Sequence, residues 1–320
     1  MPSIITITFN PALDKSVTVE ALIPEKKLKC SCPVYEPGGG GINVARAIRK
    51  LGGNALACFL AGGDAGKKIN RLLDEERVGT IVTEISAKTR ENLVVFESSV
   101  QVQYLFDMPG PEITEEEISS LLQSIAQISD VKYIVASGSL PQGVPAGVFA
   151  TIARIAKKKS AKLIVDTSGE ALKMALEEGV YLIKPNLREL ALLVGEEQLE
   201  PEHAVDFARE LIDSGGSEVI VVSMGAMGAL LVTKTGVLKI TPPELEIKST
   251  VGAGDSLVAG IVLSLDEGKS IEEAIQFGVA CGSAATLNSG TELCTRADAD
   301  RIYNMIKDEA EVKNGRFIQG

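Results

Sequence analysis

Asp255 follows two glycines that flank one small residue, in Thr250-Val251-Gly252-Ala253-Gly254-Asp255-Ser256. The apolar run behind it, Leu257-Val258-Ala259-Gly260-Ile261-Val262-Leu263, reads as a buried helix. A helix opened by a glycine turn leaves its first N–H groups without intrahelical partners. Those donors and the positive end of the helix dipole attract an anion. A carboxylate in the same first turn then stands beside a second negative group. That pairing suits a base that takes a proton from a hydroxyl, and a phosphoryl group that the hydroxyl attacks. Alone, the same residues also describe a tight turn with an acid at a helix start.

Three further segments bear on that choice. Gly38-Gly39-Gly40-Gly41 precedes Ile42-Asn43-Val44-Ala45. Four consecutive glycines cost entropy to order, so a loop that faces a ligand is expected. It is not the dinucleotide fingerprint, because Asn43 stands where the third glycine would fall. Gly62-Gly63-Asp64-Ala65-Gly66-Lys67-Lys68 is not a phosphate-binding P-loop either; its spacing is wrong and no Ser or Thr follows the lysine. Lys184-Pro185-Asn186-Leu187-Arg188-Glu189 follows a strand and suits phosphates and a hydrated metal, or an ordinary Pro-Asn turn. Val222-Ser223-Met224-Gly225-Ala226-Met227-Gly228 is a strand ending in a glycine turn, either a nucleotide cradle or a hairpin.

The elements that must position these residues alternate. Strands are predicted at Ile4–Phe9, Ala55–Leu60, Tyr133–Ala136, Leu163–Val165, Tyr181–Ile183 and Val219–Val222, with helical patterns between most of them. One helix starts at Thr114, with Glu117 completing a capping box and Ile118, Leu121, Leu122, Ile125 and Ile128 forming one stripe. Near-continuous apolar strands joined by helices predict a mostly parallel sheet covered on both faces. Its active residues belong at the carboxyl ends of the strands. Residues 15–36 and 90–108 break the rhythm and predict paired short strands: a small antiparallel sheet made of two insertions. Apolar side chains on both its faces call for cover by the main domain or substrate on one side and a partner on the other.

The 320 residues carry a net charge of −11, which argues against a nucleic-acid partner and leaves phosphates to be held by local cations and amides. Five cysteines, with no C-x-x-C, predict a reducing compartment without a disulfide framework or zinc site. No signal peptide or membrane span is read, and the expectation is a cytoplasmic protein. His203 is the one histidine, which rules out sites needing two histidine ligands; it is expected at the surface.

Gly38–Ala45, Lys184-Pro185-Asn186 with Glu189, Ser223-Met224-Gly225 with Gly228, and Thr250-Val251-Gly252-Ala253-Gly254-Asp255 occur in the order and spacing of the ribokinase-like, PfkB-type sugar kinases. The resemblance spans essentially the whole chain. It is strongest to the phosphosugar kinases of that family, through Asn10-Pro11-Ala12-Leu13-Asp14, Ser137-Gly138-Ser139-Leu140-Pro141, Val165–Leu172 and Ser283–Asn288. It implies a ribokinase-like, doubly wound, mostly parallel sheet with a β-sheet lid. The implied reaction is ATP-dependent phosphorylation of fructose 6-phosphate; fructose 1-phosphate and tagatose 6-phosphate are the alternative acceptors, and an inactive sugar-phosphate sensor is the alternative of a different class. Asp255 is implied as base, with the amides of Gly252, Ala253 and Gly254 as anion hole. Asp14, Gly38, Gly39, Asn43 and Ser139 are implied to hold the sugar, and Lys27 and Arg90 its phosphate. Lys184, Asn186, Ser223, Gly225, Gly228 and Thr250 are implied on the ATP side, and Glu189 and Asp166 near Mg²⁺. A monovalent cation such as K⁺ is implied near Ser249–Val251, and a homodimer is expected through the lid. Glu292 stands where a basic residue is expected.

Overall fold

Short β-branched runs become strands, in chain order β1 (Ile4–Thr8), β2 (Ala12–Val19), β3 (Val34–Gly38), β4 (Leu56–Ala61), β5 (Gly79–Glu84), β6 (Arg90–Glu97), β7 (Val102–Phe106), β8 (Tyr133–Ser137), β9 (Lys162–Asp166), β10 (Val180–Ile183), β11 (Ser217–Ser223), β12 (Ala229–Thr233) and β13 (Val237–Ile240). The structure, a computed structural model, describes residues 2–288 and 290–316. Nine strands form one sheet in the order β13-β12-β11-β10-β9-β8-β1-β4-β5. All its pairs are parallel except β11–β12 and β12–β13. All six predicted strands are present, and each boundary falls within two residues of its expected place.

Every residue of β1 and β8 is buried, which requires cover on both faces. Helices Gly40–Lys50, Gly63–Glu75, Ala253–Asp266, Ile271–Ala285 and Arg296–Arg316 supply one apolar layer. Glu115–Gln127, Val148–Lys159, Gly169–Glu178, Leu187–Val194 and Ala204–Asp213 supply the other. The helix after Thr114 has the capping box that its sequence predicts. The chain runs outward from β1 to β5 and returns to β8, so the strand order reverses beside β1. In such a sheet the crevice at the carboxyl ends beside that reversal is the natural ligand site.

The lid is a four-stranded sheet in the order β3-β2-β6-β7. Its outer pairs are antiparallel, as expected, but the central pair β2–β6 is parallel. β2 follows the carboxyl end of β1 and β6 follows that of β5, so both leave the same edge of the large sheet and run side by side. The lid strands start at Ala12 rather than residue 15, and residues 20–33 form an irregular exposed loop instead of strand. Register puts Asp14, Asn92, Phe96 and Leu105 on one lid face. The opposite face carries Lys15, Tyr35, Leu93 and Val95, and Lys68 of the helix Gly63–Glu75 sits over the Tyr35 ring. Phe96 and Leu105 therefore share the face of Asp14.

Among the described residues no helix is long and apolar enough to cross a membrane. All five cysteines are free, with Cys30 and Cys32 exposed on the lid loop.

Candidate active site

Helix Ala253–Asp266 begins where Gly252 turns the chain with φ 75°. That left-handed turn favours glycine, and a Cβ there would also lie 2.8 Å from the Leu293 side chain. At the start of the helix Ser256 N–H donates to the Gly252 carbonyl at 2.9 Å, and the Ala253 N–H reaches the Thr250 carbonyl only at 3.4 Å. The amides of the first turn are thus open toward the cleft. Asp255 lies among them and accepts a hydrogen bond from Asn43 Nδ2 at 2.9 Å. Its carboxyl keeps an edge open to the cleft yet is densely surrounded by protein. That desolvation, with the nearby Asp166 charge, pushes its pKa from 3.8 up to about 6, against the Asn43 bond and Lys184.

Lys184 ends the turn after β10 and is 8% exposed, with Nζ 3.1 Å from Asp166 Oδ1 at the end of β9. Burial opposes its charge, but Asp166, then Glu189 and Asp255, outweigh burial and raise its pKa. Lys184 therefore stays an ammonium, near the anion-hole amides: a Cβ on Gly254 would be 3.6 Å from Nζ. Asn186 and Glu189 form a capping box on helix Leu187–Val194; Asn186 Oδ1 accepts from Glu189 N–H and Glu189 Oε2 from Asn186 N–H. These bonds, at 2.8–2.9 Å, commit one carboxylate oxygen of Glu189 to the helix start. Asp166 is likewise engaged with Lys184, and no cluster of three or more metal-ligating side chains exists among the described residues. A Mg²⁺ ion that keeps its waters and is held by one or two carboxylates plus phosphates needs no such cluster, so the donor set fits.

The part of the cleft next to the lid is assembled from side chains that hold one another. Asn10 Nδ2 donates to Ser139 Oγ at 3.0 Å, and Asn92 Nδ2 to Asp14 Oδ1 at 2.9 Å. Gly38 packs so closely on Asp14 that a Cβ would lie 2.3 Å from its carboxylate. Gly39 caps the helix that carries Asn43. Burial raises the Asp14 pKa to about 6; the Asn92 bond opposes that, Glu36 adds to it, and Arg90 and Arg46 oppose it. Arg90 donates to Asp107, to the Met108 carbonyl and to the Asn10 carbonyl. Asn10 Oδ1 and Arg90 Nε are buried without a protein partner among the described residues, so both retain capacity for a ligand. Lys27 is not brought to this cluster; it is exposed in the irregular lid loop, and a single cation in a lysine-rich stretch gives no signal of its position.

On the other side of the anion hole is a cleft of about 830 Å³. Ser223, Gly225, Gly228 and Thr250 line it, as expected, together with Ser283 and Thr286, read only as part of a motif, and with Pro242, Leu245, Ile247 and Val279, which sequence reasoning missed. The turn Gly225–Met227 joins β11 to the antiparallel β12, so it is at once a hairpin and the floor of the cleft. Asn10 was read only as part of a motif, and Asn92 not at all. Glu292 is 3.6 Å from Lys50, which compensates its charge. His203 is exposed at the start of a helix, as expected.

Comparison with known proteins agrees with this geometry. Residues 5–298 match the model of the pfkB family carbohydrate kinases. The chain is 44% identical over 304 residues to the ATP-dependent 6-phosphofructokinase isozyme 2 of Escherichia coli (strain K12), covering 95% of this chain and 98% of that protein. It is 41% identical over 318 residues to the protein of the same name from Mycobacterium tuberculosis (strain H37Rv), covering 99% of this chain and 94% of that one. The crystal structure of Escherichia coli phosphofructokinase-2 in complex with potassium superposes with a TM-score of 0.92 at 44% identity, covering 96% of this chain and all of that one. The chain belongs to the pfkB family of carbohydrate kinases.

Proposed function

We propose that this chain transfers the γ-phosphoryl group of ATP to fructose 6-phosphate, giving fructose 1,6-bisphosphate and ADP. The observation that carries the reading is Asp255, a desolvated carboxylate set among open helix N-terminal amides and held by Asn43. Asp255 takes the proton of the free sugar hydroxyl. The bond from that oxygen to the γ-phosphorus forms as the bond from phosphorus to the β–γ bridging oxygen breaks. The amides of Gly252, Ala253 and Gly254, with the Lys184 ammonium, stabilise charge on the transferring group. Asp14, Gly38, Gly39, Asn43 and Ser139 hold the sugar ring, and Arg90 its phosphate. The apolar wall beyond Gly225 and Gly228 takes the nucleotide base, and Asn186, Ser223 and Thr250 its polar parts.

Glu189 and Asp166 would hold a hydrated Mg²⁺, whose chemistry is to neutralise the β- and γ-phosphate oxygens. A monovalent cation such as K⁺ near Ser249–Val251 belongs to the same reading. We treat residues 1–320 as one kinase domain with a lid from two insertions, working in the cytoplasm as a homodimer. Support for the dimer is the row of exposed apolar residues on the lid: Val34, Val102, Tyr104, Leu105, Phe106 and Met108.

The test is a panel of phosphoryl acceptors with purified protein: fructose 6-phosphate, fructose 1-phosphate and tagatose 6-phosphate, compared by kcat/KM with ATP as donor. Fructose 6-phosphate is expected to lead by at least about tenfold, since fructose 1-phosphate carries its phosphate at the other end and tagatose 6-phosphate inverts one hydroxyl. Preference for another acceptor overturns the substrate, and turnover of none of them overturns the reaction.

A further inference from the structure

One of the contacts between the lid and the main domain is made by a buried cation. Arg46, on helix Gly40–Lys50, is 2% exposed. Its Nε and Nη2 donate to Glu76 at 2.7–3.0 Å, its Nη1 to the Pro37 carbonyl at 2.8 Å, and its Nη2 to Glu36 Oε1 at 3.3 Å. A buried guanidinium costs less the more of its donors are satisfied by charge, and here two carboxylates and a carbonyl satisfy it. The arrangement fixes Glu36 in strand β3, directly opposite Asp14 in β2 and two residues before Gly38. The other carboxylate oxygen of Glu36 accepts a hydrogen bond from Thr291 Oγ1, which lies 255 positions away in sequence.

Thr291 belongs to the loop that backs the anion hole. The Gly290 carbonyl beside it accepts from Ser249 Oγ at 2.8 Å, and Ser249 Oγ accepts from Val251 N–H at 3.2 Å. Leu293, two residues on, packs against Gly252. A continuous line of contacts thus runs from the lid strand through Glu36 and Thr291 to the turn that opens the catalytic helix. The contact of Lys68 with Tyr35 also joins the lid to the main domain, but it ends on helix Gly63–Glu75, away from that turn.

We propose that Glu36, anchored by Arg46 and bonded by Thr291, is a positioning residue that ties the lid to the anion-hole turn and so couples phosphosugar binding to nucleotide binding. The proposal rests on the kinase reading. Sugar on the lid face sets β3; β3 sets Glu36; Glu36 holds Thr291 and with it the loop behind Gly252. Nucleotide phosphates on the Gly252–Gly254 amides favour the same loop position from the other side. Two ligands that stabilise one arrangement each raise the affinity of the other by the same factor.

The experiment is calorimetric titration of fructose 6-phosphate into the full chain, with and without the β,γ-imido analogue of ATP. Wild type is expected to bind the sugar at least about fivefold more tightly with the analogue present. Thr291→Val keeps the shape and removes the donor, and is expected to bring that ratio close to one while saturated kcat changes less than the sugar KM. Thr291→Ser restores the hydroxyl and is expected to restore the ratio, which a packing role for the threonine methyl would not do. Glu36→Gln, which keeps an acceptor but loses the charge pair with Arg46, is expected to lie between. A wild-type ratio of one overturns the proposal, as does a Thr291→Val protein with the wild-type ratio. Those outcomes leave the kinase reading standing if wild type turns over fructose 6-phosphate; a wild type that neither binds nor phosphorylates it brings down both.

Discussion

The two halves of the cleft are built differently. On the side we propose for the sugar, polar side chains hold other polar side chains: Asn10 to Ser139, Asn92 to Asp14, Asn43 to Asp255. On the nucleotide side the wall is backbone turns and apolar surface, from Gly225 through Pro242 and Leu245 to Val279. A preordered polar network loses much when one member goes, because its partners are left unpaired in a desolvated place. An apolar wall loses only the area of what was removed. The sugar half should therefore be brittle to substitution and the nucleotide half tolerant.

The largest expected effect is at the point the halves share. Asp255→Asn keeps shape and removes the base, so kcat should fall by about two to four decades with both KM values near wild type. Near-normal kcat in that variant refutes the assignment. Next, Arg90→Ala should raise the phosphosugar KM by about ten- to hundredfold, as a charge-assisted bond to phosphate is lost, with the ATP KM little changed. An equal rise in both would place Arg90 outside the sugar half.

Proton titration gives an intermediate effect. Asp14 and Asp255 both titrate near 6 rather than 3.8. Activity needs Asp255 charged, so kcat/KM should fall as pH drops through about 6, and more steeply than one group allows if Asp14 must be charged too. Stability moves the other way. A carboxyl whose folded pKa is raised binds more protons folded than unfolded between about 4 and 6, so its contribution weakens as pH rises across that window and is smallest above it. A kcat/KM profile flat down to pH 5 contradicts the raised pKa of the base.

Leu105→Asp tests the lid face that Leu105 shares with Asp14. It should weaken the proposed dimer and raise the sugar KM together by several-fold, read by sedimentation beside kinetics. A monomeric variant with unchanged KM separates assembly from sugar binding. The smallest effect belongs to the tolerant half: Ile247→Ala trims a side chain that is 53% exposed and should change the ATP KM by less than about threefold. A larger change would mean that the apolar wall is as exacting as the polar network.

The same contrast explains what the sequence made legible. Polar recognition needs particular residue types at fixed spacing, so the Asp255 turn, the glycine run and the Lys184 turn could be read directly. β-Branched runs separated by helical stripes announced the layered sheet, since both faces of β1 and β8 must be apolar. The nucleotide wall was not readable, because Pro242, Leu245 and Val279 differ in no visible way from residues of any core or loop. The parallel pairing of β2 with β6 was hidden as well. It follows from which edge of the large sheet each insertion leaves, and no local pattern encodes that. Arg46 carries no signal of its own in the sequence; its contacts lie in Glu76 and Pro37, whose proximity only the fold supplies.

The strand order also has a consequence for how the molecule is made. β1 and β4 are completed by residue 61, and the lid by residue 106. Yet helix Gly40–Lys50, which covers β1 and β4, is itself roofed by helix Ala253–Asp266, near the far end of the chain. A polypeptide leaving the ribosome would carry a lid with no Asp255 beneath it, above an apolar floor, the far side of Gly40–Lys50, still bare. At about 5–20 residues per second that floor waits on the order of ten seconds or more for its roof. Chaperone demand during synthesis should concentrate in this interval, and chains cut short before residue 253 should aggregate instead of lingering as sugar-binding fragments.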